Sequence, residues 1–238
     1  MRILFSLYIY IGLIIFPSAT HASISLSSTR VIYEKNQKEA SINVINNGNQ
    51  ETLIQSWLER DSNNNSPLPF AVTPPLAKIK NNQQQLLRIL YQGSGLPQDK
   101  ESVFWLNVQE IPQQAEGENK LQLALRQRIK LFYRPAGLSG SAALAPTNLT
   151  IKAINNRLEL YNPTSYYINM LSFRQSGRDL KGEMIAPRAS LTIEAQGVNT
   201  AGEFDITVVN DFGGVSTFSG NFLNGLSSGL KVHKQPNI

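Results

Sequence analysis

The sequence has no cysteine and only two histidines among its 238 residues. It therefore cannot form a disulfide, a thiolate metal site or a cysteine nucleophile. A serine triad needs a histidine held by a carboxylate inside a structured site. Of the two histidines, His21 lies in the N-terminal leader and His233 lies near a polar C-terminus. We therefore expect no enzymatic activity, no cofactor and no metal site.

The N-terminus has the pattern of an export signal. Arg2 precedes an apolar run over residues 3–16, and small residues follow as far as Ala22. This run is shorter than the roughly 20 apolar residues of a membrane-spanning helix, and no later run approaches that length. We expect cleavage after Ala22, which removes residues 1–22 and leaves a protein that is not embedded in a membrane.

Charge is modest and evenly spread. Lysine and arginine exceed aspartate and glutamate by a formal net charge of +5, and the basic residues form no runs. Nucleic-acid binding usually concentrates basic residues on one face or in one segment. The sequence therefore predicts no nucleic-acid partner and, at most, an acidic partner surface.

Short alternating or apolar runs with turn residues between them indicate an all-β chain, and no window keeps a helical period. Trp57 is a candidate core tryptophan. A small-residue segment at 136–146 resembles an interdomain hinge, so the runs suggest two immunoglobulin-like β-sandwiches. The runs are residues 41–45, 52–58, 86–91, 103–111 and 121–133, then 149–154, 157–161, 166–173, 191–194, 204–209 and 215–222.

The run at 121–133 is unusually long for a strand. Side chains alternate between the two faces of a strand. The odd positions are nearly all apolar and begin with Leu121, Leu123 and Leu125, whereas the even positions are mostly basic. Thirteen such residues would extend for roughly 43 Å, against a usual strand of about 5–6 residues. Either the strand is covered by its own domain or its leucines need another partner.

Two blocks of the sequence stand out for their specific motifs. They are LPQDKES at 96–102 with VFWLN at 103–107 and EIP at 110–112, and IKLFYRP at 129–135. In order and spacing, these blocks resemble the PapD-like periplasmic chaperones that assemble pili in Gram-negative bacteria. The resemblance covers essentially all of the chain after residue 22, with weaker matches at 29–30, 73–75 and 210–213. Phe212 stands where many members have tyrosine, and Pro112 stands alone where others carry two prolines.

The resemblance implies two immunoglobulin-like domains, residues 23–138 and 139–238, joined by a short hinge in a boomerang arrangement. It also implies a periplasmic chaperone that binds pilus subunits by donor-strand complementation, the mode in which one chain lends a strand to another's sheet. Its expected partners are the subunits and the outer-membrane usher, and its edge strand could also pair with a second copy. The short segment between residues 111 and 120 is similar to that of the short-loop subclass.

The family's site residues fall on matching positions here. Leu121, Leu123 and Leu125 would fill the subunit's groove. Arg30 and Lys130 would hold the subunit's terminal carboxylate by charge-assisted hydrogen bonds. Lys130 has the opposite strand parity to the leucines, which implies either a bulge or a cleft that reaches the other face.

Glu101, Arg134 and Asp211 match the family's interdomain salt bridge. Arg134 ends the first domain just before the hinge, so a link to the second domain is geometrically reasonable. Isolated surface charges contribute little to stability. We expect this trio to set the hinge rather than to bind the subunit.

Two other classes of protein fit parts of the sequence. A two-domain immunoglobulin-like adhesive or receptor module would share the composition and the export signal, but it would not need an exposed donor strand. A pilus subunit would carry an N-terminal donor extension and usually cysteines. Protection of residues 121–125 from proteolysis without any partner would favour the receptor module.

Overall fold

The computed structural model describes residues 24–60, 67–111 and 123–233. They form strands and a single 3-10 helix, Ala145–Asn148. The strands are β1 Ile24–Leu26, β2 Arg30–Glu34, β3 Ala40–Asn46, β4 Thr52–Glu59, β5 Phe70–Thr73, β6 Leu76–Ile79, β7 Gln84–Tyr91, β8 Ser102–Ile111, β9 Arg126–Arg134, β10 Thr150–Ile154, β11 Arg157–Asn162, β12 Ile168–Gln175, β13 Arg178–Lys181, β14 Met184–Ile185, β15 Ala189–Glu194, β16 Gly202–Val209, β17 Val215–Leu223, β18 Leu226–Ser227 and β19 Lys231–Val232.

The first nine strands form a two-sheet sandwich. One sheet has the order β1-β3-β7-β5 and the other the order β2-β9-β8-β4-β6. Alternate residues of the two sheets point inward and interdigitate, as in other β-sandwiches. The resulting core contains Ile42, Val44, Ile54, Leu87, Ile89, Phe104, Leu106, Leu131 and Tyr133, all at most 2% exposed.

Strands β10 to β19 form a second sandwich with its own core. Its strands follow the order β13-β12-β16-β17-β18-β10-β11-β15, with β14 beside β12 and β19 beside β17. Phe204 stacks between Phe173 and Phe222, with ring centroids 5.1 Å and 4.4 Å away. The prediction of an all-β fold with two immunoglobulin-like domains is confirmed. Within the described ranges, no helix is long and apolar enough to cross a membrane.

The segment that joins the domains is packed against the second one. Leu138 and Ala142 contact the second core, and the hydroxyl of Tyr166 donates to the carbonyl of Gly140 at 3.1 Å. The 3-10 helix buries Ala145 and Pro146. The small side chains of this segment therefore allow it to pack closely against the second domain.

Two further sequence predictions need correction. The long strand begins at Arg126 rather than at 121, since Leu123 and Leu125 lie outside β9. Trp57 is half-buried on the outer face of its sheet and is no part of the core. The buried residues of β4 are Thr52, Ile54 and Ser56, so the even positions of that strand face inward.

Candidate functional site

The two halves of β9 differ in how they are paired. β8 runs antiparallel to the whole strand, with consecutive partners from Ser102–Tyr133 to Gln109–Arg126. On the other edge, β2 pairs in parallel from Lys130 onward. Within the described residues, the half from Arg126 to Ile129 is therefore paired along one edge only.

The open half of β9 presents backbone groups to that free edge. The amide of Glu110 donates to the carbonyl of Leu125 at 2.9 Å. In an antiparallel pair the bonded residues alternate, so the backbone groups of Gln127 and Ile129 face β8. Those of Arg126 and Arg128 then face outward, where another strand could bond to them.

Apolar side chains precede this open half. Leu123 is 67% exposed and Leu125 is 46% exposed. Two leucines beside an unpaired strand edge are an aggregation hazard unless a partner covers them. Leu121, the third predicted groove-filling residue, lies outside the described residues.

The two predicted anchor cations meet across β2 and β9. Arg30 and Lys130 are register partners in that parallel pair. Lys130 Nζ donates to Asn169 Oδ1 at 2.7 Å, and a guanidinium nitrogen of Arg30 donates to the carbonyl of Val209 at 3.3 Å. Both cations therefore lie where the first domain faces the second.

Arg30 has an unused hydrogen-bond donor. Its Nε is buried and, in the part of the chain that the structure describes, has no hydrogen-bond acceptor. Burial lowers the pKa of Arg30, against the raising effect of the Asp211 charge. A carboxylate beside this guanidinium would satisfy the unused donor and offset the lost hydration.

The opposite parity of Lys130 and the leucines has a simple explanation. The pairing of β8 and β9 runs without a register shift, so no bulge turns the lysine. Lys130 and Trp105 are register partners on the outer face of the sheet, and the outer face at this point looks toward Asn169 of the second domain. Lys130 therefore faces the second domain without any irregularity in β9.

Glu101, Arg134 and Asp211 meet between the domains. Arg134 Nε donates to Glu101 Oε1 at 2.6 Å, and its two terminal nitrogens donate to the Asp211 carboxylate at 2.9 and 3.2 Å. The second Glu101 oxygen accepts from the amide of Tyr167 at 2.7 Å. Glu101 is 3% exposed, so this group joins the domains through a buried charge.

The electrostatics of this trio reflect its burial. Burial raises the pKa of Glu101, and the Arg134 charge and the Tyr167 amide oppose that shift only in part. Burial alone would lower the pKa of Arg134, but the hydrogen bond and charge of Asp211 and the charge of Glu101 raise it overall. Arg134 therefore stays charged, and its positive charge offsets the negative charges of the carboxylates that it contacts.

Sequence reasoning missed several further contacts at the domain junction. Within the first domain, Glu34, the register partner of Arg134, accepts from it at 3.1 Å. Between the domains, Arg188 binds the Asp99 side chain and donates to the Asp99 carbonyl at 3.0 Å. Gly213 has φ +83° and sits against Thr29 so closely that a Cβ would collide with the threonine hydroxyl. Only the docked arrangement of the domains reveals the last two pairs.

A cavity of about 330 Å³ adjoins the anchor cations. Asn169 and Val209, which bind Lys130 and Arg30, belong to its lining. Asp211 and the 94% exposed Phe212 also border it. Among the described residues, no group of three or more histidine, aspartate or glutamate side chains could hold a metal ion.

Two family models match this chain in sequence. The N-terminal domain of the PapD pili and flagellar-assembly chaperones matches residues 23–139. The C-terminal domain of the PapD pili assembly chaperones matches residues 144–219. The chain therefore belongs to the PapD family of pilus assembly chaperones, which confirms the resemblance seen in its sequence.

Individual relatives agree with this assignment. The chain is 42% identical over 197 residues to the chaperone protein LpfB of Salmonella typhimurium, covering 80% of this chain and 84% of that one. It is 40% identical over 220 residues to the probable fimbrial chaperone LpfB of Escherichia coli O157:H7, covering 89% and 94%. A solved complex of the Salmonella enterica SafA pilin with the SafB chaperone contains a chain that is 32% identical, with a TM-score of 0.76 and coverage of 85% and 97%.

Proposed function

We propose that this chaperone captures pilus subunits by lending them the open half of β9. The single observation that carries the proposal is the change in pairing along that strand, which leaves residues 126–129 with one backbone partner strand among the described residues. A subunit that lacks a strand would bond to the outward backbone groups of Arg126 and Arg128. Backbone bonds give affinity in this mode, and side-chain pockets give specificity.

The leucines before β9 would fill the subunit's groove. Leu123 and Leu125 are exposed in the free protein, and Leu121 continues the same odd-numbered face in the sequence. Burying one leucine side chain contributes about 1.5–3 kcal/mol before the cost of ordering is subtracted. Three leucines would therefore supply a large share of the binding free energy.

Arg30 and Lys130 would anchor the subunit's terminal carboxylate. Their register pairing brings the two cations together, and the unused buried donor on Arg30 suits an added anion. When the carboxylate binds, Lys130 would either replace its hydrogen bond to Asn169 with one to the carboxylate or keep both. A fixed end sets the register, and a one-residue slip would turn the leucines away from the groove.

Glu101, Arg134 and Asp211 would hold the domains at a fixed angle, so that the anchor and the donor strand act on one subunit. Their buried contacts support this role. We place the protein in the periplasm, after cleavage behind Ala22, where it would hand subunits to the outer-membrane usher. The open edge also suits pairing with a second copy in the absence of a subunit.

The anchor can be tested with Arg30→Ala and Lys130→Ala. Leaving a desolvated carboxylate unpaired costs about 2–5 kcal/mol, so each variant should fold normally yet recover few pilus subunits when a tagged copy is purified from the periplasm. The matched control is Arg157→Ala, which removes an exposed cation paired with Glu194 in the second domain. Equal loss in the control would indicate a diffuse effect of basic charge instead of a carboxylate anchor.

A further inference from the structure

Glu59, at the end of β4, is the centre of a polar network on the outer face of the first domain. Trp57 Nε1 donates to Glu59 Oε1 at 2.7 Å. Arg126 donates to both carboxylate oxygens, at 3.1 and 2.9 Å. Arg128 Nε lies 3.7 Å from the same carboxylate. One carboxylate thus joins β4 to the two arginines of the open half of β9.

Aromatic rings complete this network. The guanidinium of Arg126 lies over the ring of Trp57 at 5.0 Å, and that of Arg128 lies over Trp105 at 4.0 Å. Arg126 Nε also donates to Asn107 Oδ1 at 2.9 Å, and Asn107 is fully buried. The arginines are therefore fixed in orientation by stacking as well as by hydrogen bonds.

The network acts where β9 is otherwise least supported. The strand pairs with β8 alone at residues 126–129 within the described chain, and its side chains there are exposed or only half-buried. On its other side, Gln127 Nε2 donates to the carbonyl of Ile24 at 2.9 Å. The contacts of Arg126 and Arg128 with Glu59 therefore hold the first residues of β9 in place.

The chemistry of Glu59 suits a permanent anionic centre. The hydrogen bond from Trp57 lowers the pKa of Glu59, burial opposes it, and the Arg126 charge lowers it further, so that the net direction is downward. An isolated exposed ion pair is worth little, because water and salt screen it. A carboxylate shared by two stacked arginines and an indole N–H forms a connected network, which constrains geometry more than a single pair does.

We propose that Glu59 is a positioning residue for the donor strand. It acts through Arg126 and Arg128, and it holds β9 against β8 so that Leu123 and Leu125 leave the sheet in a fixed direction before a subunit binds. Preorganisation of this kind lowers the ordering cost of binding. This inference rests on the proposed function for its role in capture, although the ordering of the free strand can be measured without any subunit.

The test uses Glu59→Gln and Trp57→Phe in the full-length exported protein. The glutamine variant keeps the size of the side chain and removes its charge, and the phenylalanine variant keeps a ring and removes the N–H donor. Glu194→Gln is the matched control, because it makes the same change at an exposed carboxylate bonded to Arg157 at 2.9 Å. If one of the two test variants fails to fold, the other still tests the inference.

The first readout is amide hydrogen exchange in the free protein. For Glu59→Gln we expect the Gln127 and Ile129 amides to exchange about tenfold faster, whereas those of Leu131 and Tyr133 stay within about twofold of wild type. Trp57→Phe should give about a threefold change at the same two amides, and Glu194→Gln none. Unchanged exchange at Gln127 and Ile129, or equal acceleration along all of β9, would overturn the inference.

The second readout is the rate at which each variant captures a pilus subunit as it refolds from denaturant. The probe is the subunit that co-purifies with the tagged wild-type protein. We expect capture by Glu59→Gln to slow by about fivefold to tenfold, and that by Glu194→Gln to match wild type. Equal capture by wild type and Glu59→Gln would contradict the inference alone. If wild type recovers no subunit, the proposed function fails, and the exchange readout still decides whether Glu59 orders the strand.

Discussion

The two halves of β9 have nearly the same alternating sequence pattern and opposite environments. In the half from Lys130 to Arg134, the strand is paired along both edges as far as Tyr133, and Leu131 and Tyr133 are fully buried. In the half from Arg126 to Ile129, the described residues pair along one edge, and there and in the leucines before it the side chains are more exposed. One strand therefore stabilises its own domain at one end and is available to a partner at the other.

The largest effect on stability should come from the paired end. Arg134→Ala would leave Glu101 buried without its cation, at a cost of about 3–5 kcal/mol in the free energy of unfolding. Urea denaturation of the purified protein measures this cost. The control Arg157→Ala removes an exposed pair and should change stability by less than about 0.5 kcal/mol.

A double variant sharpens the interpretation of Arg134. Adding Glu101→Gln removes the uncompensated charge, so Glu101→Gln with Arg134→Ala should be more stable than Arg134→Ala alone. If the second substitution instead adds its own full penalty, the two side chains act independently, and the contact of 2.6 Å between them would not be the reason for the loss.

A pair of leucine substitutions compares the halves directly. Leu131→Ala should lower the free energy of unfolding by about 2–5 kcal/mol, because it leaves a cavity in a packed core. Leu123→Ala is the same chemical change on the same side-chain parity, at a residue that is 67% exposed, and should cost less than about 0.5 kcal/mol. Similar costs at both positions, measured by urea denaturation, would break the comparison.

Sequence patterns predicted the long strands well and the short ones poorly. Strands β3, β4, β7 and β8 are seven to ten residues long, and each contains most or all of a predicted run. Strands β1 and β6, of three and four residues, are too short to show a period, and their place is set by the neighbours they pair with. Local pattern is informative only where a strand is long enough to repeat it.

The two corrections have a common physical cause. Alternation shows that a stretch has an apolar face, but not which molecule covers that face. The leucines before Arg126 extend the pattern of β9 beyond its own sheet, so the predicted strand was too long. In β4, both parities contain apolar residues, and the buried positions Ile54 and Ser56 place Trp57 outside the core.

The site was predictable in part. Family resemblance selected Arg30 and Lys130, and the register of β2 and β9 pairs them. The contact of Arg188 with Asp99 depends on how the domains dock, and that of Glu34 with Arg134 depends on the register of β2 and β9; no local pattern contains either. Trp57 and Glu59 do share a strand face at spacing two, so that signal was present in the sequence, but its meaning required the arginines of β9 opposite them.

The most direct test of a strand with two functions is Leu123→Glu. The side chain is exposed in the free protein, so the free energy of unfolding should stay within about 0.5 kcal/mol of wild type. Capture of a refolding pilus subunit should fall sharply, because the groove would have to bury a charge. Retained stability with lost capture is the predicted result. A large loss of stability, or undiminished capture, would contradict the assignment of Leu123 to the subunit's groove.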